Sequence, residues 1–190
     1  HLLLILEPLW ATKAETANRV RGRIEAILDS AKVLGHRDDQ NPAAWRGHLA
    51  LILPSKNKVA PVKHHPALPH EDAPEFFKAL GERDGFAAVG FQFLILTAAR
   101  TGEVLGATWD EIEEDRWVIS AERMKSRKPH AVPLTEAAIA ILDQARKASV
   151  NHFVFSGSRG QLSNMAFLAI LKRMERTDIT PHGFRSTFRD

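Results

Sequence analysis

The sequence predicts a mainly helical α+β protein with a small antiparallel sheet, preceded by the end of an all-α unit. Three observations carry that expectation. Apolar residues recur at helical spacing over most of the chain. One stretch, DRWVISAERMKSRKPHAVPL, alternates as two strands around a turn would. A third stretch, PSKNKVAPVKHHPALPH, carries four prolines and no periodicity, and it divides a helical first part from a mixed remainder.

The opening HLLLILEPLW is apolar, but Glu7 and Pro8 interrupt it well short of the ~20 residues a bilayer span needs. It has no basic leader or small-residue cleavage site, so no signal peptide is read there. It starts without methionine and inside an expected helix, so the chain is expected to be a fragment at both ends. Thr12 and Glu15 have capping-box spacing. Ala17, Val20, Ile24, Ile27, Leu28, Ala31 and Leu34 then form one helical stripe, with Gly35 as the stop. Arg19, Arg21 and Arg23 cluster off that stripe or at its edge. Asn41-Pro42 reads as N-cap plus first-turn proline of a further helix, with Trp45, Leu49 and Ile52 as its apolar face. Residues 1–54 are therefore expected to be the last helices of an all-α unit.

Residues 55–70 read as an inter-domain linker, extended because proline fixes φ. Residues 71–190 are expected to form a second, mixed domain. A helix is expected from Asp72 to Arg83 with Phe76, Phe77 and Leu80 inward. GFAAVGFQFLILTAA is apolar nearly all round and predicts a buried central helix. RTGEVLGATW begins a short helix, and the strand pair follows with KSRKPH at its turn. Thr135 caps a helix through Ala148, HFVF is a short strand, Ser163 starts another helix, and Thr180-Pro181 opens the last one.

Hydrophobic residues at 44% and charged residues at 26% describe an ordinary globular protein rather than a disordered chain. The absence of cysteine excludes disulfides and thiolate metal sites. Net charge is +3, with 7 Lys/Arg against 6 Asp/Glu up to Pro54 and 19 against 17 beyond it. Neither part is a polycation, so nucleic-acid binding must come from local clusters. The densest is RMKSRKPH, with Arg123, Lys125, Arg127 and Lys128 and no acid among them. His64, His65 and His70 lie in the proline-broken stretch without an HExxH pattern, so no metal and no cofactor is expected. Trp10, Trp45, Trp109 and Trp117 read as packing residues rather than base-stacking platforms.

Several residues can carry chemistry. Arg100 ends the greasy run from Phe91 to Ala99, where an arginine placed in the interior needs a partner, and Glu103 stands one turn on. On spacing alone a structural ion pair is the ordinary reading and a rigidly held anion clamp the functional one. His182 and Arg185, three apart, put an imidazole and a guanidinium on one helical face near an N-terminus. That pairing suits a phosphate, since arginine grips oxygens bidentately and histidine moves a proton near neutral pH. HxxR alone is otherwise an ordinary surface pair. Lys125 in the basic turn is a solvated residue or a DNA-backbone contact unless it folds over the same phosphate.

Taken together, LTAARTGEVLGATWDEI, ERMKSRKPHAVPLT and TPHGFRSTFRD resemble, in order and spacing, the catalytic domain of tyrosine recombinases, in the phage and genomic-island integrase branch. TANRVRGRIEAILDSAKVLGHRDDQNPAAWRGHLALILP is similar to the end of that branch's core-binding domain. The resemblance implies a DNA-joining enzyme in which two arginines and a lysine surround the scissile phosphate. A tyrosine then attacks phosphorus to form a 3′-phosphotyrosyl link. It carries Arg100 over as the first arginine, Arg185 as the second, His182 as the first histidine, Lys125 as the lysine that protonates the leaving oxygen, and Glu103 as the supporting acid. Lys128 is the rival of Lys125. Arg123, Arg127, Lys128, Arg19 and Arg23 are expected DNA contacts.

The chain contains no tyrosine at all. The resemblance places the nucleophile beyond Asp190, so the fragment is expected to be inactive in strand cleavage. It further implies double-stranded DNA as partner, a tetramer for the full protein, a monomer for the fragment, no membrane association, and a cytoplasmic, bacterial or phage-encoded origin. Two other readings fit the same residues. One is a non-catalytic DNA-binding factor derived from an integrase; the other is a type IB topoisomerase-like enzyme.

Overall fold

The computed structural model describes residues 2–61, 65–157 and 160–189, and the chain divides into two compact units, His1–Lys63 and His64–Asp190. The first unit is built on α1 (Leu2–Thr12) and α2 (Ala14–Val33), packed side by side. Its small core joins Leu6, Trp10 and Ala17 to Leu49 and Leu53. Trp10 stacks on Trp45 with ring centroids 5.4 Å apart, and its indole N–H donates to the Pro54 carbonyl at 2.9 Å. A buried indole needs such a partner, so the two tryptophans serve packing, as their apolar neighbours suggest.

Several local expectations change here. Thr12 does not cap α2: α1 runs through it, and its hydroxyl donates to the Pro8 carbonyl instead. Glu15 is consequently free to pair with Arg19 and with Lys56, at 2.9 and 2.7 Å. The helix expected after Asn41-Pro42 is a chain of turns ending in a short 3-10 segment, Leu49–Leu51. The Asn41 side chain accepts from the Ala43 N–H at 2.9 Å, which favours a turn over a helix start. Arg21, not the apolar stripe, supplies the most buried long side chain of α2. Its guanidinium donates to Glu25 at 2.5 Å and to the Ala43 carbonyl at 2.8 Å, because a charge this deep must be paired. Within the stretch read as linker, Lys56–Val59 forms one helical turn, α3, which packs against the first unit's core through Val59.

The second unit is layered around α5 (Phe86–Thr97), whose residues 88–94 are all buried. α4 (Ala73–Gly81) covers one side of it. The short α6 (Thr101–Leu105) follows it in the chain. Two strands, β1 (Arg116–Ile119) and β2 (His130–Pro133), form an antiparallel pair with Trp117 opposite Val132 and Ile119 opposite His130. Alternation turns Trp117, Ile119 and Val132 inward. α7 (Glu136–Ala148) packs on α5, and the Thr135 hydroxyl accepts from the Ala138 N–H as its cap. HFVF is not a strand: Phe153 makes one isolated bridge to Thr108, and the pairing falls just beyond it, between β3 (Ser156–Gly157) and β4 (Gly160–Gln161). α8 (Ala166–Arg173) then packs on α5.

The last helix is shorter than the sequence suggests. α9 spans Phe184–Thr187, while Thr180 and Pro181 belong to a turn closed by the Gly183 N–H donating to the Thr180 hydroxyl. What fixes this piece is aromatic packing. Phe91 stacks on Phe167 at 5.2 Å and meets Phe184 edge-on at 5.3 Å, and Phe76 lies 5.2 Å from Phe184. Burying each such ring is worth roughly 1.5–3 kcal/mol, so four residues of helix are held against the core although too short to be stable alone. The mainly helical α+β class with small antiparallel sheets is therefore the class the chain adopts. Among the described residues no helix is long and apolar enough to cross a membrane.

Candidate active site

Arg100 and Arg185 line one cavity of about 430 Å³, although 85 positions apart in sequence. The ends of two short helices bring them there. α5 stops at Ala98, which takes a left-handed conformation at φ 48°. That costs a non-glycine residue roughly 1 kcal/mol. The turn frees the Ala98 carbonyl, and the Arg185 Nη1 donates to it. The second arginine is thereby tied to the residue two before the first.

Arg100 begins α6. It is not interior, as its apolar approach suggests, but about half exposed, with Glu103 only 10% exposed beneath it. Glu103 Oε1 accepts from the Arg100 Nη1 at 2.5 Å and Oε2 from the Arg100 backbone N–H at 2.8 Å. One carboxylate thus fixes both ends of the residue, an arrangement that satisfies an orphan donor at the helix start. Burial pushes the Glu103 carboxyl up. The hydrogen bonds from Arg100 and the positive charges of Arg100 and Arg185 outweigh this and hold it below the ordinary glutamate value.

His182 is exposed on the turn before α9, within the field of both arginines. Burial, then the neighbouring charges of His65, Arg185 and Arg100, hold its imidazole below the ordinary histidine value. A neutral imidazole beside two guanidinium groups can accept a proton near neutral pH.

The basic turn splits into inward and outward residues. Arg123 faces in: its guanidinium donates to the Glu111 carboxylate and, at 2.6 Å, to the Glu103 carbonyl. Glu111 also accepts from the Trp117 indole at 3.0 Å. Gly106 leaves room for this, since a side chain there would meet the Arg123 guanidinium at 2.8 Å. Arg123, one of the expected DNA contacts, also ties the β1–β2 connection to α6 through these bonds. Lys125, Arg127 and Lys128 are exposed in the β1–β2 connection, and Arg127 takes a left-handed conformation at φ 52°. They do not line the cavity, whereas their neighbours Met124, His130 and Val132 do. In the first unit Arg19 is exposed and paired with Glu15, and Arg23 is exposed.

Two neighbours, His130 and Phe188, carry no role in the sequence reading, and His65 enters it only in the metal question. His130, first residue of β2, and Phe188 line the cavity, and His65 lies against His182. The signal for His130 is its place at the end of the basic turn, where the strand alternation begins; nothing local marks the other two. His64, grouped with His65 and His70 in the metal question, lies outside the described residues.

Residues 67–189 match the phage integrase family, and residues 1–48 match the phage integrase central domain. The chain belongs to the phage integrase family. Prophage integrase IntZ of Escherichia coli (strain K12) is 34% identical over 196 residues, which cover 98% of this chain and 46% of that protein. The integrase of Enterobacteria phage P4 is 29% identical over 214 residues, covering 100% and 47%. The chain thus spans about half the length of these curated relatives. Among solved structures, a lambda integrase (75–356) dimer bound to a COC′ core site superposes with a TM-score of 0.72 at 18% identity, covering 98% of this chain and 70% of that one. The Tn1549 transposon integrase (aa 82–397) in complex with circular intermediate DNA gives 0.65 at 15% identity, covering 92% and 64%. At such identities the likeness is one of fold.

Proposed function

We propose that the chain carries the phosphate-binding half of a site-specific DNA recombinase, one that integrates or excises a mobile element through a 3′-phosphotyrosyl intermediate. The observation that supports this reading is the joint placement of Arg100 and Arg185 on one cavity, with His182 in their field. The two guanidinium groups hold the nonbridging oxygens of a DNA phosphate and stabilise the negative charge that builds during attack. Glu103 keeps Arg100 aimed. His182 takes the nucleophile's proton, and Lys125 gives one to the leaving 5′ oxygen, so that the alkoxide needs no metal. The covalent link stores the bond energy, and rejoining needs no ATP.

In this reading residues 1–54 are part of a core-binding domain, residues 55–70 a connector and residues 71–190 the catalytic domain. Arg127 and Lys128, with Arg19 and Arg23, follow the DNA backbone. The whole protein acts in the cytoplasm as a tetramer on two duplexes, and these 190 residues alone are monomeric. Since they contain no tyrosine, they cleave nothing by themselves.

The test is covalent capture on a nicked duplex carrying the element's attachment site. A form of the protein bearing the tyrosine should give a denaturation-resistant complex, insensitive to metal chelators, and the 190-residue chain none. A resistant complex from the 190 residues, or its absence from the longer form, would refute the proposal.

A further inference from the structure

The segment that opens the second unit is strapped to the turn carrying His182. The Pro66 carbonyl accepts from the Thr180 N–H at 3.1 Å and from the Thr180 hydroxyl at 3.3 Å. The Leu68 carbonyl accepts from the Thr187 hydroxyl at 2.6 Å, and the Leu68 side chain is buried in the core. Between these bonds the two backbones touch: a Cβ on Gly183 would stand 2.0 Å from the Pro66 oxygen. Gly183 has φ −59°, so it is the contact and not the backbone angle that requires glycine. Pro66 in turn restricts the preceding residue to extended conformations. That residue, His65, lies edge-on to His182 with ring centroids 4.6 Å apart at 65°.

We propose that His65 is a positioning residue for His182: the strap holds its ring where it fixes the orientation of the His182 imidazole beside Arg185 and Arg100. The proposal rests on reading this site as a phosphoryl-transfer centre. An imidazole on an exposed turn has two free torsions, and a ring held against its face removes most of that freedom before substrate arrives. The charged and titratable groups around His182 are His65, Arg185 and Arg100, with Glu103 beneath Arg100 as the acid. Burial opposes protonation of His182 most, and positive charge on His65, Arg185 and Arg100 acts in the same direction.

The test is a proton–nitrogen NMR titration of the imidazoles in this chain, comparing it with H65A, H65F and G183A. His65→Phe keeps an edge-on ring but removes its charge, so the His182 titration should move to higher pH while its ring-shifted resonances stay. His65→Ala should move the titration the same way and also abolish the ring shift. Gly183→Ala should reproduce His65→Ala, because its methyl displaces the strap. Unchanged titration and resonances of His182 in His65→Ala and His65→Phe would overturn the proposal, whether or not Gly183→Ala folds.

A second arm separates this inference from the reading it rests on. In a tyrosine-bearing form, His65→Ala should slow single-turnover cleavage about tenfold without changing DNA affinity, and His65→Phe should recover most of the rate. If Arg185→Ala abolishes cleavage while His65→Ala leaves it intact, the positioning role fails and the site stands. If replacing Arg100, His182 and Arg185 leaves cleavage unaltered, the site reading fails, and the titration still decides the strap.

Discussion

Arg185 donates to the carbonyl of Ala98, 87 residues earlier in the chain, and this bond ties the segment bearing the second arginine to the one that presents Arg100. The left-handed turn at Ala98 and the aromatic packing of Phe184 against Phe91 are what make it possible. Convergence of cations in this unit is therefore built by the core, and each element of it can be perturbed separately.

Glu103→Gln should leave the fold intact and lower cleavage by a tyrosine-bearing form about tenfold, because Arg100 loses the charge that aims it. A pH effect accompanies it. The folded-state pKa of Glu103 lies below the ordinary value of 4.5, so its stabilisation is present above that pH and is lost as pH falls through the folded value. The unmodified chain should thus lose more stability than Glu103→Gln between about pH 5 and pH 3, read as urea midpoints.

Arg123→Ala should act on stability and not on DNA. Glu111 is only 8% exposed, and removing its cation leaves a buried carboxylate held only by neutral donors, the Trp117 indole and the Thr108 N–H. The expected cost is about 3 kcal/mol in urea denaturation. The salt slope of duplex binding should stay that of the unmodified chain, whereas Arg127→Ala should reduce it by about one. A reduced slope in Arg123→Ala with unchanged stability would reverse this assignment.

The long helices of the second unit were legible: α5 is apolar nearly all round and is buried, and Thr135 caps α7 as its position suggests. Where one polar side chain decides the backbone, the sequence misleads. Asn41 makes a turn, and Thr12 bonds backwards to Pro8. Among the candidate site residues, Arg100 stands out because it ends a greasy run, Glu103 because it stands one turn on, and His182 and Arg185 because they are three apart. The inward turn of Arg123 and the seat of His65 on His182 depend on contacts across 12 or more residues, which no local pattern carries.

The proton donor to the leaving group is the next test. Lys125→Ala in a tyrosine-bearing form should lower single-turnover cleavage roughly a hundredfold or more, and Lys128→Ala less than tenfold. A substrate with a 5′-bridging sulfur, whose leaving thiolate needs no proton, should restore Lys125→Ala. Rescue of Lys128→Ala instead would exchange the two roles.

The most direct measurement is a double-mutant cycle between Arg100→Ala and Arg185→Ala on the affinity of this chain for a short duplex at low salt. If both guanidinium groups hold one phosphate, the losses are not additive and the coupling is about 1 kcal/mol or more. Losses that add to within a few tenths of a kcal/mol would mean that the two arginines serve separate sites, and the account would be wrong.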